Sequence, residues 1–134
     1  MNKNSDFNIV FILPVYNEGE SIFNLISRIE KIKYEKLKII IVDDCSEDNS
    51  FEWISKACKN LIKKEKFIVK HKENKGLGGA LNSGFNYLYE NFAETDVVVT
   101  MDGDNTHDPN LVYQMIEKIN QGDDLVIASR YRTG

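Results

Sequence analysis

Three aspartates, Asp102, Asp104 and Asp108, stand within seven residues in the stretch VVVTMDGDNTHDP, residues 97–109. Carboxylates repel one another and resist burial, so such a cluster needs open water or a bound cation. The spacing favours the cation. Asp102 and Asp104 lie two apart at the end of an apolar run, so their side chains project to one side. Gly103 between them permits a tight turn and a close approach by a ligand. Mg²⁺ or Mn²⁺ is commonly held by one or two carboxylates plus substrate phosphates, and Asp102 and Asp104 are the expected metal ligands. An isolated Asp-x-Asp is more often a solvated turn. What changes the odds here is its place at the carboxyl end of a strand.

Four other stretches carry similar potential. Pro14-Val15-Tyr16-Asn17-Glu18 follows the first apolar run, and Asp43-Asp44-Cys45-Ser46 the second. Asn74-Lys75-Gly76-Leu77-Gly78-Gly79 follows the third, and Ser129-Arg130-Tyr131-Arg132 the last. The Tyr16 ring could stack on a base. One of Asp43 and Asp44 could cap a helix while the other accepts from a base N–H. Arg130 and Arg132 could clamp a phosphate bidentately. The glycines of GLGGALNSG, residues 76–84, lack the dinucleotide-binding spacing and read as a helix start that passes close to a ligand or to the first strand. His71 and His107 are not in metal-like spacing, and His107 reads as a helix-start hydrogen bond.

The elements that position these residues alternate. Short apolar runs at 8–13, 37–42, 67–71, 96–101 and 124–129 read as strands. Between them, helical spacing links Ile22, Leu25, Ile26, Ile29 and Ile32, then Phe51, Ile54, Cys58 and Leu61. It continues with Leu77, Leu81, Phe85, Leu88 and Phe92, then Leu111, Val112, Met115, Ile116 and Ile119. Asn17 and Glu20 resemble a capping box opening the first helix, and Asp108-Pro109 an N-cap with proline at the first helical position. The order βαβαβαβαβ predicts an α/β fold, a Rossmann-like, mostly parallel sheet with helices on both faces. Ligands of such sheets bind beyond the carboxyl ends of the strands, where all five stretches fall.

The chain has 134 residues, 42% hydrophobic and 28% charged, with net charge -4. These values fit one soluble globular domain spanning residues 1–134. The acidic balance argues against nucleic-acid binding, so a phosphate ligand needs local Arg or a metal. Cys45 and Cys58 fit reduced thiols in a cytoplasmic protein. No apolar run approaches the ~18 residues of a membrane span.

Taken together, PVYNE, VDDCSEDNS, KGLGGALNSGF, MDGDNTHDP and ASRY resemble the family 2 glycosyltransferases, and among them the dolichol-phosphate mannosyltransferase type. The resemblance implies a GT-A fold and metal-dependent, inverting transfer of a sugar from a nucleoside diphosphate sugar, GDP- or UDP-linked. The implied acceptor is a polyprenyl phosphate. By the same resemblance Pro14, Tyr16, Glu18, Val42 and Asp44 line the nucleotide site. Asp102, Gly103 and Asp104 form the metal and diphosphate motif, and Arg130 stands near the phosphates. Asp102, Asp104 and Arg130 are thus the implied catalytic residues. Thr106 replaces a glutamine common in close relatives, and its hydroxyl could reach the metal directly or through water. Family members continue past residue 134, so this chain reads as a donor-binding half, with peripheral contact to the cytoplasmic face of a membrane through segments outside it. Three rivals remain: a phosphoaccepting receiver domain, a sugar nucleotidyltransferase, and a non-catalytic donor-binding module.

Overall fold

The computed structural model describes residues 7–124. They form β1 (Ile9–Val15), α1 (Glu20–Ile29), β2 (Leu37–Asp43), α2 (Ser50–Asn60), β3 (Glu65–Lys70), α3 (Gly76–Asn91), β4 (Val97–Thr100) and α4 (Leu111–Asn120). The expected strand over 124–129, with Arg130 and Arg132 after it, lies outside the described residues from position 125 on. The four strands are parallel, in the order β3-β2-β1-β4.

Both central strands are apolar on both faces, and the strand period of two divides them between two cores. Ile9, Phe11, Leu13 and Val15 of β1 join Ile39 and Ile41 of β2 beneath α1, α2 and α4. Val10 and Ile12 join Ile40 and Val42 beneath α3. Helix α1 buries the predicted Ile22, Leu25, Ile26 and Ile29. The strand order also removes the receiver rival. A receiver would place the strand of Asp43 directly beside the strand of Asp102, whereas here β1 separates β2 from β4.

Two local expectations are corrected. Helix α3 does not bury Leu77 and Phe85, which are 59% and 44% exposed. Its inner face is Ala80, Gly84 and Leu88. A Cβ on Gly84 would stand 2.5 Å from Ile12 Cγ2, so the helix lies too close to β1 for a larger residue. Of the glycines in the run, Gly84 alone marks a close approach to the first strand; Gly76 and Gly78 have nothing within 4 Å of a notional Cβ. Nor do Asn17 and Glu20 form a capping box. Asn17 adopts a left-handed φ of 53°, and its Oδ1 accepts from Glu47 N and Asp48 N. The turn before α1 is satisfied by Ser50 Oγ, which accepts from Glu18 N and Gly19 N at 2.8 Å each.

Candidate active site at the strand carboxyl ends

In the order β3-β2-β1-β4, chain direction across the sheet reverses between β1 and β4. Open α/β sheets bind ligands in the crevice beyond the carboxyl ends at such a switch point. The residues there are Pro14–Glu18, at the end of β1 and just after it, and Met101–Asp104, following β4.

The two segments are packed together. Met101 N donates to Ile12 O, which sets the second segment against the first. Gly103 is buried, and a Cβ on it would meet Val15 Cγ2 at 3.1 Å, Pro14 O at 3.2 Å and Glu18 Cγ at 3.3 Å. Any larger residue would push the loop off β1, so glycine is required by packing. On either side of it, Asp102 and Asp104 are both exposed. Asp104 Oδ1 accepts from Thr106 N at 3.0 Å and from Thr106 Oγ1 at 2.8 Å. Burial pushes the Asp104 carboxyl up, but the Thr106 bonds and nearby His107 outweigh it and hold the pKa below its ordinary value. Thr106 therefore orients Asp104 from the side. Asp102 makes no hydrogen bond or ion pair among the described residues. Across the crevice, burial and then the Asp104, Asp102 and Asp48 carboxylates raise the Glu18 pKa.

The third aspartate of the cluster behaves differently. Asp108 Oδ1 accepts from Arg28 Nη2 at 2.9 Å and from Asn110 N at 3.0 Å, in the turn that leads into α4. His107 contributes its backbone carbonyl, which accepts from Arg28. The cation that Asp108 requires is thus an arginine from α1, 80 residues earlier in the chain. No local sequence signal could have paired them.

The other side of the crevice is built from the ends of β1, β2 and β3. Tyr16, 42% exposed, presents its ring at the rim. Val42 is wholly buried beneath α3. Asp44, 3% exposed, accepts from His71 Nδ1, Lys75 N and Gly76 N at 2.8, 2.8 and 2.9 Å. Burial alone would raise its pKa; the bonds from His71, Lys75 and Gly76 outweigh that and lower it. His71 Nε2 in turn meets Ser83 Oγ at 2.7 Å. Sequence reasoning gave His71 and Ser83 no role, although His71 follows β3 at the functional edge. The array Ser83–His71–Asp44 has triad-like distances, but Ser83 lies inside helix α3, where its own N–H is committed to the helix. It serves to fix Asp44. Asp43 is buried, with Oδ1 accepting from Ser46 N.

Among the described residues, no three His, Cys, Asp or Glu side chains form a closed metal cage. Asp102 and Asp104 instead offer the open, two-carboxylate arrangement that Mg²⁺ or Mn²⁺ shares with substrate phosphates. Glu18, whose pKa is raised by burial and then by the Asp104 and Asp102 carboxylates, stands close by, and a donor set of exposed carboxylates is one that a divalent cation takes.

Residues 10–134 match the family model described as Glycosyl transferase family 2. A dolichol-phosphate mannosyltransferase from Pyrococcus furiosus is 37% identical over 127 residues, 92% of this chain and 33% of the relative. A poly-beta-1,6-N-acetyl-D-glucosamine synthase from Staphylococcus aureus strain COL is 37% identical over 123 residues, 87% of this chain and 28% of the relative. The chain therefore spans about a third or less of the length of these relatives. Two solved structures share the fold. The mannosyltransferase PcManGT from Pyrobaculum calidifontis, in complex with GDP-Man and Mn²⁺, superposes with a TM-score of 0.66 at 24% identity over 75% of this chain and 29% of its own. S. aureus TarS in complex with UDP-GlcNAc gives 0.66 at 21% identity over 86% and 32%. With the sheet order, the crevice and the family match in agreement, the chain belongs to glycosyl transferase family 2.

Proposed function

We propose that this chain is the donor-binding part of a metal-dependent, inverting glycosyltransferase that moves a sugar from a nucleoside diphosphate sugar to a polyprenyl phosphate. The observation that carries the reading is the Asp102–Asp104 pair, raised on a tightly packed loop at the switch point, with Asp102 making no hydrogen bond or ion pair among the described residues. The donor class is supported by kinship, since PcManGT was solved with GDP-Man and Mn²⁺ and TarS with UDP-GlcNAc.

Asp102 and Asp104 would hold Mg²⁺ or Mn²⁺. When bound, that ion supplies Lewis-acid stabilisation of the charge on a departing diphosphate. The remaining tasks fall to the chain. Tyr16 offers a ring face to the base. Asp44, fixed by three donors, keeps one lone-pair direction for a base N–H. Thr106 orients Asp104, and Gly103 lets the loop that carries both aspartates pack against β1. Arg130 would add a fixed cation near the phosphates. A phosphate acceptor is already ionised at neutral pH and needs no general base, while a sugar hydroxyl would need one. Transfer would take place at the cytoplasmic face of a membrane, reached through segments outside this chain.

A second donor reading, UDP-N-acetylglucosamine, draws on the equal 37% identity to the staphylococcal synthase. Calorimetry of GDP-mannose and UDP-N-acetylglucosamine, with and without Mn²⁺, separates the two. The Asp104→Ala protein should lose all metal-dependent donor binding. Unchanged binding in that variant would refute the assignment.

A further inference from the structure

We infer that Arg28 of α1 is a positioning residue for the acidic loop, setting the backbone of residues 105–108 so that Asp102 and Asp104 are presented before any ion arrives. The inference rests on the metal-and-donor reading above.

The segment from Met101 to Asn110 joins β4 to α4. Its first half is fixed against β1 through Met101 N and the close packing of Gly103. Its second half has no strand to lie on. There Asn105, directly after Asp104, turns the chain with a left-handed φ of 62°. Arg28 gathers this half. Nη1 donates to Asn105 Oδ1 at 2.9 Å and to His107 O at 3.4 Å, and Nη2 donates to Asp108 Oδ1 at 2.9 Å. A planar guanidinium presents several donors in a fixed fork, so one side chain fixes three acceptors from three loop positions. The helix bearing it is rigid, because Leu25, Ile26 and Ile29 around it are fully buried.

The same contact divides the charges. Asp108 is neutralised by Arg28, which leaves the metal-directed repulsion to Asp102, Asp104 and Glu18. Without Arg28, Asp108 would become a further unpaired carboxylate on a slack loop. The pair is solvent-accessible, with the Arg28 and Asp108 side chains 38% and 51% exposed. Surface pairs contribute little to folding, so the consequence of losing this one falls on the loop. Partners bonded directly to metal ligands typically carry 10- to 100-fold in metal affinity; Arg28 acts one step further out, through Asn105, His107 and Asp108, so its effect falls at the lower end of that range.

The test uses the full-length protein. Mn²⁺ binding is followed by electron paramagnetic resonance in the presence of GDP or UDP, and nucleotide affinity without metal by calorimetry. Arg28→Gln should weaken Mn²⁺ binding about 10-fold and leave metal-free nucleotide affinity and the thermal midpoint close to wild type. Arg28→Lys, which keeps the charge but not the fork, should fall between the two. Wild-type Mn²⁺ affinity in folded Arg28→Gln overturns the inference and leaves the metal reading standing. If Arg28→Gln does not fold, Arg28→Lys decides, and wild-type Mn²⁺ affinity there overturns the inference. A wild-type protein that takes up no Mn²⁺ with either nucleotide overturns the metal reading, and this inference with it.

Discussion

Replacing Gly84 by alanine tests how closely α3 is tied to the sheet. The new Cβ would stand 2.5 Å from Ile12 Cγ2 and 3.4 Å from Val42 Cγ2. Carbon atoms normally touch at about 3.5–4.0 Å, so the first contact is about 1 Å too short. Ile12 cannot retreat, because it is fully buried on β1 between β2 and β4. Overpacking of this kind costs about 1–3 kcal/mol, and the immobility of Ile12 places this case in the upper half. Alanine recovers about 1 kcal/mol of helix propensity over glycine, which leaves a net loss of about 1–2 kcal/mol. Gly78 supplies the control, since nothing lies within 4 Å of its notional Cβ. Gly78→Ala should gain up to about 1 kcal/mol from propensity alone. Urea unfolding followed by circular dichroism should move the two midpoints in opposite directions at unchanged slope. Gly84→Ala should also weaken donor binding, because α3 begins at the Lys75 and Gly76 amides that hold Asp44. If Gly84→Ala proves as stable as Gly78→Ala, the close approach is not what the glycine serves.

Ser50→Ala removes the acceptor of both Glu18 N and Gly19 N; leaving such groups buried and unpaired should cost about 1–3 kcal/mol, read from the same unfolding curves. Acid titration should separate two carboxylates of opposite sign. The Asp44 pKa is lowered in the fold, so its stabilisation is complete above the ordinary value of 3.8 and is lost as pH falls through the folded value. Asp44→Asn should flatten that acid limb. The Glu18 pKa is raised, so its destabilising effect is absent below the ordinary value of 4.5 and complete once pH rises past the folded value. Glu18→Gln should remove that decline, and unfolding midpoints from pH 2 to 7 would check both.

The parts of the fold written in local pattern were legible. Continuous apolar runs gave β1 and β2, and the 3.6-residue spacing of Ile22, Leu25, Ile26 and Ile29 gave the inner face of α1, because in both cases burial follows the period of the backbone. Helix α3 misled the same logic. Its largest apolar residues face outward, since what selected its inner face was closeness to β1, and closeness favours Ala80 and Gly84 over Leu77 and Phe85. Carboxylates at strand ends were also legible, as types at positions. Their partners were not. Arg28 meets Asp108 across 80 residues, and His71 meets Asp44 across 27. Such pairings depend on how helices and loops are brought together, and single-chain spacing carries no record of it.

The question posed by three aspartates in seven residues has a divided answer. Each carboxylate meets a different environment, and the differences sort structure from chemistry. Asp108 is bound to a guanidinium and to the turn that starts α4, so its charge is spent on architecture. Asp104 is half committed, with Oδ1 bound by Thr106 and Oδ2 without a hydrogen bond among the described residues. Asp102 has no hydrogen bond or ion pair among the described residues, and its charge helps to raise the Glu18 pKa across the crevice. A fold selected for stability alone would not leave like charges facing one another over a buried glycine. Sites that break the local rules of stability are where function is expected. Here the broken rule has a definite sign: among the described residues Asp102, Asp104 and Glu18 gather negative charge at the switch point, the charge that the proposed divalent cation would offset.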